Sequence, residues 1–247
     1  MNKLDSDIRS KIIITDDVCH NNLTHFSDIV LAAIYSKNEN NFNILELLLK
    51  NNKNIRIINE TLKYTVRHLK TTSSFDAIKL LIVNGADINY IGHFGWPILM
   101  DCCINLNDVN IEIINCLIEN GSNINIKLYP GITPLTILIN FSSSYDHLEI
   151  IKLLIRKGAE INYKDIEFGT PLMMCFKEAH NIFIRYDIIK FLLDNKADVY
   201  IKNKEGKNIF DIVESKIGKN TDIYSLIFNY KNLVNDHFCD FDINFIY

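Results

Sequence analysis

Residues 131–162 read GITPLTILINFSSSYDHLEIIKLLIRKGAEIN. Thr133-Pro134 is a helix start: Thr caps free backbone N–H groups, and Pro at the first helical position gives up a donor that has no partner there. The segment that follows, LTILINF at 135–141, is short and apolar, and SSSYDH at 142–147 reads as a polar loop. LEIIKLLIRK at 148–157 has apolar residues at 148, 150, 151, 153, 154 and 155. That face is wide enough to be packed on two sides. Gly158 stops this second helix, because a glycine just past the last turn takes the left-handed conformation without Cβ strain. Ala-Glu-Ile-Asn then leads into an extended segment and a turn before the next Thr-Pro at 170–171.

The unit recurs. Ile78–Asn89, Ile114–Asn125, Ile151–Asn162 and Ile189–Tyr200 align on Gly85, Gly121, Gly158 and Lys196, at spacings of 36, 37 and 38. A second anchor follows each: GWPIL at 95–99, GITPL at 131–135, FGTPL at 168–172 and GKNIF at 206–210, again at 36, 37 and 38. Two anchors that drift together define a repeat. One helix pair cannot bury its own apolar faces, but stacked neighbours can. The expected fold is an all-α repeat solenoid of stacked helix-turn-helix units joined by β-hairpin-like turns.

Further pairs flank the aligned ones. Upstream lie FSDIVLAAIYSK (26–37) with NFNILELLLKNN (41–52), then ETLKYTVRHLK (60–70) with FDAIKLLIVN (75–84). Asn52 stands at the Gly85 position and suits a left-handed cap. Downstream, NIFDIVESK (208–216) and DIYSLIFNYKNLV (222–234) make a degenerate last pair. About six repeats are expected, at roughly 26–56, 57–90, 95–126, 132–163, 169–200 and 206–235. An N-terminal segment or capping helix (1–25) precedes them and a C-terminal tail (236–247) follows.

GITPL (131–135), GTPL (169–172), LLIVNGADIN (80–89) and LLIRKGAEIN (153–162) resemble the ankyrin repeat signature over about 75–235. The resemblance implies a protein-binding scaffold. The His that usually follows T-P-L is replaced by Thr136 and Met173, which implies weaker hydrogen bonding between neighbouring turns. The Ile/Asn-rich, long-loop style is similar to that of ankyrin proteins of large DNA viruses, giant viruses of amoebae in particular. About one residue in six is Ile and about one in eight is Asn, types that share AT-rich codons.

Other classes are disfavoured. The chain of 247 residues is 48% hydrophobic with net charge -4, a folded rather than a nucleic-acid-binding composition. No run reaches the ~18 apolar residues of a membrane span, and MNKLDSDIRS does not lead into a secretory apolar region. Cysteines 19, 102, 103, 116, 175 and 239 form no C-x-x-C, which points to reduced, buried thiols in a cytoplasmic compartment, the host cell cytoplasm for a viral protein. His93, Cys102, Cys103 and Cys116 lack paired ligand spacing, and adjacent Cys102-Cys103 read as core packing. Cys19, His20 and His25 are a weak metal motif. No G-x-S-x-G and no Gly-rich phosphate loop occurs, so the expectation is no enzyme, no metal, no cofactor and no small-molecule substrate.

The turn tips carry the candidate surface: IGHFGW (91–96), KLYPG (127–131), KDIEFG (164–169) and KNKEG (202–206). His93, Phe94, Trp96, Leu128, Tyr129, Ile166 and Phe168 are large side chains in turns that the resemblance places in water, as protein-binding hot spots. The alternative is that these rings fold back and seal the neighbouring turn. Asn140, Phe141, Lys177 and Glu178, on the short helices, are expected to line the concave side. Asn89, Asn125 and Asn162 resemble acceptors of ankyrin asparagine hydroxylation, or else they bond the turn backbone. The expected function is a non-catalytic scaffold for a host protein. The alternatives are an adaptor that recruits ubiquitin-ligase machinery through a terminal segment, and a structural paralogue without a specific partner.

Overall fold

The structure is a computed structural model. It describes residues 11–13, 27–51, 54–69, 73–92, 95–104, 111–142, 145–166, 169–177, 182–219 and 221–239, with backbone alone at 145–146, 182–184 and 232–239. Among them are twelve helices in six consecutive pairs: α1 (Asp28–Ile34) and α2 (Glu39–Asn51); α3 (Ile55–Arg67) and α4 (Phe75–Val83); α5 (Ile98–Ile104) and α6 (Ile111–Glu119); α7 (Pro134–Phe141) and α8 (Tyr145–Arg156); α9 (Pro171–Met174) and α10 (Ile182–Asp194); α11 (Ile209–Ile217) and α12 (Asp222–Cys239). No strand is present among the described residues, so the fold is an all-α repeat solenoid in class.

The chain divides into two compact units, Met1–Asn123 and Ile124–Tyr247. In the N-terminal unit the first helices of the pairs stack on one another, α1 on α3 and α3 on α5, while α2 packs on α4. In the C-terminal unit α7 packs on α9 and α9 on α11, and the second helices α8, α10 and α12 stack in order. Each unit is therefore two layers of helices with the core between them. Leu31, Leu45, Leu62, Ile78, Leu81, Ile98 and Leu117 fill one core. Leu138, Ile151, Leu154, Ile188 and Leu192 fill the other.

The second helices end alike. The N–H groups of Ala86, Ser122, Ala159 and Ala197 bond the carbonyls of Leu81, Leu117, Leu154 and Leu192, and those of Gly85, Gly121, Gly158 and Lys196 bond the carbonyl three residues back. This is the Schellman arrangement, which needs a left-handed residue. Gly158 has φ +100°, and Lys196 adopts φ +69° in the same position despite its Cβ. Lys196 thus carries strain that a glycine would not.

Four boundaries differ from the sequence expectation. Helix α3 begins at Ile55, because the Asn54 side chain accepts from the N–H groups of Arg56 and Ile57. Helix α8 begins at Tyr145, which shortens the expected loop. Helix α9 ends at Met174: the N–H groups of Phe176 and Lys177 bond carbonyls three residues back, and the buried Arg185 guanidinium donates to the Cys175 carbonyl at 2.7 Å. Helix α12 continues to Cys239. The cap expected at Asn52, and the N-terminal helix apart from residues 11–13, lie outside the described residues. Residues 11–13 are not helical. Ile13 exchanges two hydrogen bonds with the Asn41 side chain, at 2.8 and 2.6 Å.

Candidate protein-binding surface

The hairpin-like turns that precede the first helices position the tips. In the C-terminal unit three of them share one frame. The N–H of Leu128 donates to the Ile132 carbonyl at 2.9 Å, that of Asp165 to Gly169 at 3.0 Å, and that of Asn203 to Lys207 at 2.9 Å. The helix after the first of these starts as the sequence demands. The Thr133 hydroxyl accepts from the N–H of Thr136, and the Thr136 hydroxyl accepts from that of Thr133, a reciprocal cap.

Neighbouring tips touch. The N–H of Ile166 donates to the Pro130 carbonyl at 3.3 Å. Gly131, at φ +126°, lies so close to the next tip that an added Cβ would sit 2.8 Å from Asp165 Cβ. On this packed pair Tyr129 is 91% exposed and Ile166 is 67% exposed. Leu128 and Trp96 are half-buried. His93, Phe94 and Phe168 lie outside the described residues, as does Glu178. Phe141, at the far end of α7, is 51% exposed, about 10 Å along the helix from the tip by helical rise. Asn140 beside it is half-buried. Lys177 is exposed but stands in the turn after α9, not on a helix, and its carbonyl accepts from Lys216.

The asparagines tie successive turns together, not each its own turn. The Asn89 amide nitrogen donates to the Gly121 carbonyl at 2.9 Å, and its oxygen accepts from the N–H of Asn123 at 2.8 Å. Asn125 does the same with Gly158 and Glu160, and Asn162 with Lys196 and Asp198. Both amide atoms are thus engaged, and this ladder supplies the bonding between turns that loss of the family His would have removed. A fourth acceptor comes from a helix: Asn59 of α3 takes the N–H of Asp87 at 2.7 Å.

One cluster escapes sequence reading. Lys63 on α3 and Asp101 on α5, with side chains 3% and 4% exposed, form an ion pair at 3.1 Å. Arg67 joins it at 2.8 Å. The Lys63 ammonium also donates to the Trp96 carbonyl, which fixes the end of that turn. In a packed interior such a triad holds two helices in register, and losing one member leaves an uncompensated charge.

Cys102, Cys103 and Cys175 are core groups, whereas Cys116 is half-buried, because its place on α6 faces partly outward. Burial pushes Cys102 and Cys103 well up from the usual thiol range, and lifts Cys175 to about 12. Neutral buried thiols are poor nucleophiles and poor metal ligands. Among the described residues no group of three or more His, Cys, Asp or Glu could hold a metal ion, and no helix is long and apolar enough to cross a membrane.

These features define a helix-pair repeat protein whose turns are stitched to one another and project exposed side chains. Two overlapping stretches, residues 29–128 and 107–203, match the family described as ankyrin repeats (3 copies). The chain belongs to the ankyrin repeat family. Comparison with curated proteins finds no match. Ankyrin repeats generally mediate protein–protein interaction, and proteins built from them are typically non-catalytic scaffolds.

Proposed function

We propose that the chain is a non-catalytic scaffold that binds a folded partner protein through its turn tips and the adjoining face of the first helices. The observation that carries this reading is the pair Tyr129 and Ile166, both far out in water on two tips bonded to each other. An exposed ring and an exposed aliphatic group on a stiff support are the material of binding hot spots. The support is preformed, so little ordering entropy opposes binding. Leu128, Asn140, Phe141 and Lys177 extend the proposed surface of the C-terminal unit, Trp96 is the candidate of the N-terminal unit, and His93, Phe94, Phe168 and Glu178 remain candidates by sequence alone. The likeness in composition to ankyrin proteins of large DNA viruses suggests a host protein as the partner, met in the host cell cytoplasm.

Affinity capture from host lysate, with wild type and a Tyr129→Ala/Ile166→Ala variant in parallel, tests this. A partner held by wild type and lost by the variant supports the tip surface. A partner held equally by both moves the interface elsewhere, and no specific partner at all counts against the scaffold reading.

A further inference from the structure

We propose that the tips of the C-terminal unit receive an extended acidic segment of the partner, with carboxylates about three residues apart and apolar side chains between them. This rests on the tip-binding reading above and names the chemistry of its ligand.

The three hairpins carry one pattern in one register: Lys127-Leu128-Tyr129, Lys164-Asp165-Ile166 and Lys202-Asn203-Lys204. Successive side chains of extended backbone point to opposite sides. Here the middle residue of each turns inward: Leu128 and Asn203 are half-buried and Asp165 is buried. Asp165 spends its carboxylate on the N–H of Gly169, and Asn203 spends its amide oxygen on those of Glu205 and Lys207. The outer six residues are all exposed. They form two columns across the tips, one of Lys127, Lys164 and Lys202, the other of Tyr129, Ile166 and Lys204.

Lys127 is shared with the Glu160 carboxylate at 2.9 Å and lies over the Tyr163 ring. That exposed pair is cheap to exchange. Lys164 and Lys202 have no carboxylate partner among the described residues, and Lys204 shares the exposed Glu205 carboxylate with Lys207. A column of three exposed lysines, two of them unpaired, in a chain of net charge -4 is a local excess of positive charge, and it steers an acidic partner to this edge. The spacing sets the form of the ligand. Stacked helices lie about 8–10 Å apart, so lysines on successive hairpins recur at about that interval. A ligand chain in the extended polyproline II form turns once every three residues and rises about 3.1 Å per residue, so every third side chain returns to the same side after about 9 Å and meets a lysine, while those between face Tyr129 and Ile166. Few lysines are available, so a phosphate backbone, whose affinity comes from many neutralised charges, is weakly served.

The test selects random twelve-residue peptides on the full-length chain and measures their affinities by fluorescence anisotropy. Two surface variants are compared, Lys164→Glu/Lys202→Glu and Tyr129→Ala/Ile166→Ala, with circular dichroism and urea midpoints confirming their fold. Selected peptides should be rich in Asp and Glu at a spacing of three. Affinity should fall about tenfold in the charge variant and weaken with salt. Neutral or basic selected peptides, no selected peptide, or affinity unchanged in the charge variant overturns the proposal. So does preferential binding of a twenty-nucleotide single-stranded DNA or of phosphatidylserine vesicles. Loss in the apolar variant alone rejects the acidic ligand but keeps the tip surface, and loss in neither variant rejects both.

Discussion

In the N-terminal unit the backbone N–H of Asp87 is met by Asn59, a residue of helix α3. The matching N–H groups of Asn123 in the same unit, and of Glu160 and Asp198 in the C-terminal unit, each two residues past a left-handed cap, are met by Asn89, Asn125 and Asn162 of the preceding turn. The difference lies in what precedes each pair. Helix α3 has 13 residues against 7 in α5 and 8 in α7, and it starts only four residues after α2 ends, at Asn51. Its additional turns stand where the later pairs have a hairpin-like turn. Glu60, next to Asn59, also reaches the turn, accepting from the Tyr90 hydroxyl at 2.5 Å, a bond that raises the Tyr90 pKa. The stack therefore preserves a hydrogen-bond requirement, not a particular secondary structure: the same donor must be met, and a helix or a turn can supply the acceptor.

The comparison can be broken at several points. Asp101→Asn should have the largest effect, because it leaves the buried Lys63 ammonium without its counter-charge: about 3 kcal/mol lost in urea unfolding, with faster hydrogen exchange in α3 and α5. A cost near that of an exposed pair would show that the triad does not hold the N-terminal unit. Gly131→Ala should cost the C-terminal unit about 2 kcal/mol, through the close approach of Asp165 and the positive φ, read as a shift in thermal midpoint. Asn59→Ala and Asn162→Ala should each cost about 1 kcal/mol, the first through a part-buried N–H left unmet, the second through the loss of two exposed hydrogen bonds. Equal losses would establish the equivalence of helix and turn, whereas a silent Asn59→Ala would end it. Lys196→Gly should stabilise by about 0.5 kcal/mol, since relief of left-handed strain slightly exceeds the added chain entropy of glycine. An unchanged or lowered midpoint would show that Lys196 is not strained.

The caps and turns are legible in the sequence because they rest on single residues with one physical job. Alignment on Gly85, Gly121 and Gly158 leads directly to Lys196, the one non-glycine residue at positive φ among the described residues. The start of α3 is not legible, since Asn54 caps it from within NNKNIRIINE, where asparagine is too common to mark a boundary. Lys63 and Asp101 hide for another reason: 38 residues apart in the chain, each reads as part of a solvated face until the stack brings them together. At the tips, Tyr129 and Ile166 can be picked out because they lie between two anchors. The lysine column is equally present in the sequence, at 127, 164 and 202, but a search for rings passes over the charges between them.

The asparagine ladder links the integrity of the stack to the chemical ageing of its amides. Asn125 holds the Gly158 carbonyl with its nitrogen at 2.9 Å. Hydrolytic loss of that nitrogen, turning the side chain into aspartate, would set a second oxygen against the carbonyl oxygen where a donor had been. A single spontaneous deamidation at such a rung converts a stitch between repeats into a repulsion, so the working life of the assembly is bounded by its most labile amide bonds as well as by its folding equilibrium.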